Sequence, residues 1–219
     1  MPQHPFTPLP RSFYGPSAKV VAPRLLGHFL LCRTSFGDWA GGIIVETEAY
    51  LADDPACHGF RRETPRNRSM YGPPGHAYVY FIYGNYFCFN AVCAPEKVPE
   101  AVLIRAIEPT FGENWMRANR PVRQRRDRTS GPAKLCLALG IKREHDGRDL
   151  CDVNTGLIIA HNQHRSRFLN LHKPMVTTTR VGLSVAEDLP LRFYLEKSDF
   201  VSKRERGGSQ PAVPESLPG

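Results

Sequence analysis

Residues 77–91 constrain the fold of this chain more than any other stretch. Ala77-Tyr78-Val79-Tyr80-Phe81 and Tyr86-Phe87-Cys88-Phe89-Asn90-Ala91 are dominated by aromatic and β-branched residues and read as two strands. Tyr83-Gly84-Asn85 separates them, and Gly84 is free to take a positive φ, so the strands fold back on each other as a hairpin. Residues 41–50 give a third strand signal, with Ile43, Val45, Thr47 and Ala49 on one face and Ile44, Glu46, Glu48 and Tyr50 on the other. Further strands are expected at 102–106, 157–159, 177–181 and 191–195. Residues 17–31 read as a short helix capped at Ser17, followed by a strand starting near Gly27. Residues 111–119 read as a helix, and a third helix opens near Ser130 and stops at Gly140. The expected class is α+β, a single domain with a curved, mostly antiparallel sheet and short surrounding helices. Its body is expected over 13–202, with 1–12 a disordered or extended N-terminal arm and 203–219 a flexible polar tail.

With 219 residues and 41% hydrophobic residues, the chain is long enough to bury a sizeable core. No run of about 18 apolar residues exists, so no transmembrane helix is expected. The start, Met1-Pro2-Gln3-His4-Pro5-Phe6, lacks the charged and apolar regions of a signal peptide, so the expected location is intracellular: cytoplasm, nucleoid or nucleus. The six cysteines form no C-x-x-C pair. They read as small buried hydrophobes rather than a metal site, and the same holds for Cys57 despite its neighbour His58. No metal or other cofactor is expected.

The net charge is +8. It concentrates in Arg61-Arg62-Glu63-Thr64-Pro65-Arg66-Asn67-Arg68 and again at Arg117, Arg120, Arg123, Arg125, Arg126 and Arg128. Such clusters neutralise phosphates, although a solvated basic face or mobile loop would look the same. Between residues 45 and 90 stand an acid, a histidine and a band of tyrosines: Glu48, His58, Tyr50, Tyr78 and Tyr80. A carboxylate can activate water and flat rings can grip a flat base, so the combination points to chemistry on a nucleobase. Taken singly, Glu48 also reads as an exposed acid on a half-buried strand, and the tyrosines as half-core packing. Arg105 closes the apolar run Val102-Leu103-Ile104 and needs an anion, either a carboxylate or a phosphate. Asn90 would be a costly buried amide without a partner.

These residues sit in longer blocks. Ile44-Val45-Glu46-Thr47-Glu48-Ala49-Tyr50, His58, Thr64-Pro65-Arg66-Asn67-Arg68 and Tyr78-Val79-Tyr80-Phe81-Ile82-Tyr83-Gly84 resemble the alkyladenine (3-methyladenine) DNA glycosylase family. So do Leu103-Ile104-Arg105-Ala106-Ile107-Glu108-Pro109, Ser130-Gly131-Pro132-Ala133-Lys134-Leu135-Cys136, Arg180-Val181-Gly182 and Pro190-Leu191-Arg192-Phe193-Tyr194. The resemblance runs in order from about residue 13 to 202. It implies a monofunctional, metal-free glycosylase acting as a monomer on double-stranded DNA that contains damaged purines: 3-methyladenine, with hypoxanthine and ethenoadenine as further candidates. It implies Glu48 as the general base, helped by Arg105 and the backbone carbonyl of Val181. It implies Tyr50, His58 and Tyr80 as walls for a flipped base, and Asn90 as the gate against a guanine 2-amino group. Tyr83 is implied as the wedge that fills the duplex, with Arg66 and Lys134 as further DNA contacts. The alternative from the residues alone is a non-catalytic nucleic-acid binder that uses the tyrosines as a stacking platform; such a binder has no use for an acid in the pocket.

Overall fold

The computed structural model describes residues 5–204 except 83 and 85. Tyr83 and Asn85, and nearly all of the expected polar tail, therefore lie outside the described residues. The fold is α+β. Eight strands, β1 (Phe29–Arg33), β2 (Trp39–Tyr50), β3 (Ala77–Ile82), β4 (Tyr86–Cys93), β5 (Glu100–Phe111), β6 (Leu157–Ala160), β7 (Met175–Thr178) and β8 (Arg192–Leu195), form one antiparallel sheet. Its main order is β3-β4-β5-β2-β1-β6, and β8 joins β2 to β7. The hairpin β3–β4 forms as its sequence predicts, and Gly84 takes a φ of 76°.

Five helices accompany the sheet: α1 (Arg11–Tyr14), α2 (Ala18–Leu25), α3 (Glu113–Asn119), α4 (Pro132–Leu139) and α5 (Arg165–His172). Ala18, Val21, Ala22 and Leu25 in α2 recur at one-turn spacing and are all buried against the sheet. The hydroxyl of Thr47 on β2 donates to the carbonyl of Ala22 at 2.9 Å, satisfying a group that the short helix leaves open. Ser17 stands at the N-cap of α2 but does not cap it by itself. Its hydroxyl and the N–H of Ala18 both donate to Glu100 Oε2, each at 2.7 Å. A carboxylate is the stronger acceptor at the positive end of a helix. At α4 the cap residue is Gly131, one place beyond the expected Ser130, because Ser130 is bridged to Ala106. Pro132 opens that helix and Gly140, with φ 71°, closes it.

Two further elements differ from the sequence expectation. The strand expected at 177–181 ends at Thr178, and Arg180 and Val181 leave the sheet because Arg180 is drawn to a buried partner, described below. Helix α5 was not anticipated: none of its residues is fully buried, and its apolar contact with the core is limited to half-buried Phe168 and Leu169. Instead Arg165 donates to the carbonyls of Leu26 and Arg24, closing the end of α2. The N-terminal segment packs closely. Leu9 is fully buried and its N–H donates to Ile159 at 2.8 Å, while Phe6 meets Phe29, Trp39 and Phe111 edge to face.

Candidate active site

One row of cross-strand partners carries the candidate chemistry. Tyr78 on β3 pairs with Asn90 on β4, Asn90 with Leu103 on β5, Leu103 with Glu48 on β2, and Glu48 with Arg192 on β8. Residues opposite each other in an antiparallel ladder share a face, so five strands deliver these side chains to one side of the sheet. Tyr80 pairs with Cys88 one step along. Residues two apart stay on that face, which adds Tyr50 beside Glu48 and Arg105 beside Leu103. Helices α2 and α4 cover the opposite face.

A pocket of about 390 Å³ opens on this side, lined among others by Tyr50, His58, Tyr78, Tyr80, Asn90, Arg105 and Val181. It falls in the size range of small-ligand sites. His58 and Tyr80 meet edge to face with centroids 4.5 Å apart, and Tyr78 and Tyr80 are tilted at 5.5 Å. His58 Nδ1 and the Tyr78 hydroxyl are 2.9 Å apart. Burial raises the Tyr50, Tyr78 and Tyr80 hydroxyls above the ordinary phenol range, so all three are neutral at physiological pH. Burial, and then the charge of Arg66, lowers the His58 pKa below the usual imidazole value. The tyrosine walls of the pocket are therefore flat and uncharged, while Arg66 and Arg105 bring positive charge to its lining. Asn90 donates its amide to the Tyr78 carbonyl at 3.0 Å, which supplies the partner a buried amide requires.

Glu48 is fully buried and reaches the pocket through three residues that line it, Tyr50, Arg105 and Val181. Its Oε2 accepts from the Tyr50 hydroxyl at 3.0 Å and from Arg105 Nη1 at 3.2 Å. Its Oε1 accepts from the backbone N–H of Val181 at 2.8 Å. The resemblance implied the carbonyl of Val181 as a helper; the contact with Glu48 is made by its N–H. A carboxylate oxygen has two lone-pair directions, so among the described residues Oε2 is filled and Oε1 has one direction left. Arg105 also donates through Nε to Glu46 at 2.9 Å and through Nη2 to the Ser202 hydroxyl at 3.1 Å. Burial works against the Arg105 charge, but Glu48 and Glu46 outweigh it and hold its pKa above the ordinary value. Arg192 Nε donates to Glu46 at 2.7 Å. Two carboxylates and two guanidiniums thus compensate one another out of water, the condition for burying any of them.

The sequence reading brought Glu48, Arg105, Tyr50, His58, Tyr80 and Asn90 into one site, and the structure gathers them there. It did not find the supporting groups Glu46, Arg192, Ser202, Asp54 and Arg180. Glu46 offered one signal, a second acid on the Glu48 face of a strand with little else polar. Ser202 offered none, since it arrives from the far end of the chain. Arg66 lines the mouth of the pocket, and its Nη2 donates to the carbonyl of Phe81 at 3.1 Å. Lys134 lies in a different cleft, with Arg126, Lys203 and Arg204. Cys57 is buried and donates to the Pro99 carbonyl at 3.3 Å; burial pushes its thiol up to about 11, which leaves it no thiolate with which to attack. No helix among the described residues is long and apolar enough to cross a membrane.

Residues 12–199 match the family model described as methylpurine-DNA glycosylase (MPG). A protein of Carboxydothermus hydrogenoformans is 44% identical over 196 residues, covering 90% of this chain and 99% of its own. One of Methanoculleus marisnigri is 45% identical over 196 residues, with the same coverage of 90% and 99%. One of Francisella tularensis subsp. tularensis is 43% identical over 184 residues, 84% of this chain and 93% of its own. All three bear the name "Putative 3-methyladenine DNA glycosylase". The match spans most of the chain and includes the whole row from Tyr78 to Arg192, so the chain belongs to the methylpurine-DNA glycosylase family and is, with it, a DNA glycosylase of DNA repair.

Proposed function

We propose that the enzyme removes alkylated purines, 3-methyladenine first among them, from double-stranded DNA by hydrolysing the bond between base and sugar. The observation that carries this reading is the state of Glu48, a fully buried carboxylate held by three residues that line the pocket, Tyr50, Arg105 and Val181, with one Oε1 lone-pair direction left among the described residues. A water bound there would give its proton to Oε1 and its oxygen to C1′ of the sugar, while the C–N bond breaks and the base leaves with the electron pair. Arg105, Tyr50 and the Val181 N–H hold the carboxylate in place for that step. A purine alkylated on a ring nitrogen already carries positive charge and departs neutral, so it needs no acid. Tyr50, Tyr78 and Tyr80 offer electron-rich faces to such a cation. Hypoxanthine and ethenoadenine are neutral and need a proton on departure, so they are the slower substrates. Asn90, beside Tyr78 on the pocket wall, is placed to crowd the 2-amino group of a normal guanine.

The target base must leave the duplex to reach this pocket. Tyr83, outside the described residues, is the wedge in this proposal, and Arg66 a contact to the strand at the mouth. Action as a monomer is part of this proposal. The test is single-turnover excision from duplexes bearing one 3-methyladenine, ethenoadenine, hypoxanthine or normal guanine. The wild-type enzyme should cleave in that order of preference. Glu48→Gln, which keeps the shape but not the basicity, should slow cleavage by about 10²–10⁴ while still binding the lesion duplex. Excision by Glu48→Gln at the wild-type rate would remove Glu48 from the mechanism.

A further inference from the structure

Arg180 and Asp54 form a second buried ion pair, separate from the one that holds Arg105. Both side chains are sealed from solvent, at 0% and 1% exposed. The guanidinium meets the carboxylate twice: Nη1 with Oδ2, and Nη2 with Oδ1 at 3.0 Å. Nη1 also donates to the carbonyl of Ala49 at 3.0 Å, and Nη2 to that of Ala186 at 3.4 Å. The plane lies over the ring of Tyr50, with Cζ 4.7 Å from the centroid. Nothing in the hydrolysis described above uses this pair directly.

Its position decides what it holds. Arg180 immediately precedes Val181, whose N–H is the partner of Glu48 Oε1. Asp54 stands in the loop between Tyr50 and His58, fixed by its own acceptance of the Ala56 N–H at 3.0 Å and of the Cys57 N–H at its carbonyl. Three parts of the pocket therefore meet at one guanidinium: the Tyr50 ring beneath it, the loop that carries His58 through Asp54, and the Val181 amide through the chain itself. The segment after β7 leaves the sheet at Arg180 and has no ladder to fix it there. A lysine could supply the charge but not the planar fork that serves carboxylate, carbonyl and ring at once.

The geometry points to Arg180 and Asp54 as positioning residues for excision, which set the Val181 N–H against Glu48 and the Tyr50 ring against the base. This rests on the reading of Glu48 as the base in hydrolysis. It predicts a defect in the rate constant of bond cleavage, since displacing a catalytic group by about 1 Å can cost on the order of 10²-fold.

The test uses single-turnover excision from a 3-methyladenine duplex at saturating enzyme. Rate constant and reaction amplitude are read separately, alongside the affinity for the lesion duplex and the melting temperature. The variants are Arg180→Lys and the double change Asp54→Asn with Arg180→Gln, which leaves no lone buried charge behind. The expected result is a rate constant lowered by about 10²-fold in both, with amplitude retained and affinity within a few-fold. Asp54→Asn added to Arg180→Lys should cost little more than Arg180→Lys alone, because the two act as a unit. A lowered amplitude or melting temperature with an unchanged rate constant would show the pair to be structural only and overturn the assignment. The wild-type enzyme on the same duplex separates the two readings. If it excises and the variants match its rate constant, the positioning role alone fails; if it does not excise, the glycosylase reading fails and takes this role with it.

Discussion

Arg105 on β5 is skipped by the register with β2, and the skip falls at Glu46. Glu46 pairs with Ala106 and the next residue, Thr47, with Ile104, so Arg105 is left over as a bulge. A bulge re-aims the side chain it carries. Here it sends the guanidinium to Glu46, at 2.9 Å, and to Glu48, at 3.2 Å. Glu46 then holds Arg105 and Arg192 together, with the Ser202 N–H on its other oxygen at 2.6 Å.

Replacing Glu46 by alanine should therefore be severe for stability. It leaves two buried guanidiniums without their shared anion, a loss of about 3–5 kcal/mol. At this chain length that corresponds to a melting temperature lower by roughly 10 °C. Thermal unfolding followed by circular dichroism measures it, and a change of only one or two degrees would show that Glu46 does not carry the network.

His28 gives the fold a weak point in acid. Its ring is packed edge to face against Phe13 and His161, its Nδ1 has no partner among the described residues, and burial first, then Arg165, lowers its pKa to about 4. The unfolded chain takes up this proton near pH 6.5, the folded chain only near pH 4, so between those values the unfolded state binds more protons. Stability from the neutral ring is complete above about pH 6.5 and is lost as the pH falls toward 4, on the order of 1 kcal/mol by pH 5. Urea unfolding at pH 7 and pH 5 should show that loss in the wild-type protein and a smaller one in His28→Phe. Equal pH dependence in both would assign the effect elsewhere.

The basic clusters should divide by their partners. Arg61 and Arg62 are exposed beside the pocket mouth. Arg125 is engaged by Glu113 at 2.7 Å and lies over Phe200, and Arg128 is buried. Affinity for DNA should fall steeply with salt, and Arg61→Ala with Arg62→Ala should make the slope shallower by about 2. Arg125→Ala should leave the slope as it is. Fluorescence anisotropy across a salt series reads both, and a slope unchanged by the Arg61 and Arg62 pair would place the phosphate contacts on another face.

Tyr80 stands in the pocket wall rather than at the hairpin tip, so its loss should be felt after the base has flipped. Stacking of a base on an aromatic ring is worth about 1–3 kcal/mol by alanine substitution, so Tyr80→Ala should weaken excision of every lesion by roughly 5- to 150-fold. Burial of the ring makes a companion melting curve necessary. A defect confined to well-paired lesions would move Tyr80 from the pocket to the wedge.

The sequence alone determined the strands of this protein and the identity of its reactive groups. Alternation in 41–50 and 77–91 is local, so it could be read without knowing what packs on what. The acid, the histidine and the tyrosines were visible for the same reason, as were the turn at Gly84 and the stop of α4 at Gly140. Only the tertiary structure decided how those groups are held. The bulge at Arg105 exists because β5 and β2 carry unequal numbers of residues between the same two pairings, a property of neither strand by itself. The Val181 N–H reaches Glu48, the Arg180 fork reaches Asp54, and Ser202 reaches Glu46, each across more than a hundred residues of chain. Helix α5 stayed hidden because it lays only half-buried Phe168 and Leu169 on the core and closes the end of another helix. Periodicity records which side of an element faces the core. It carries nothing about which distant amide or guanidinium will donate to a buried acid, and that pairing is what holds Glu48 in its site.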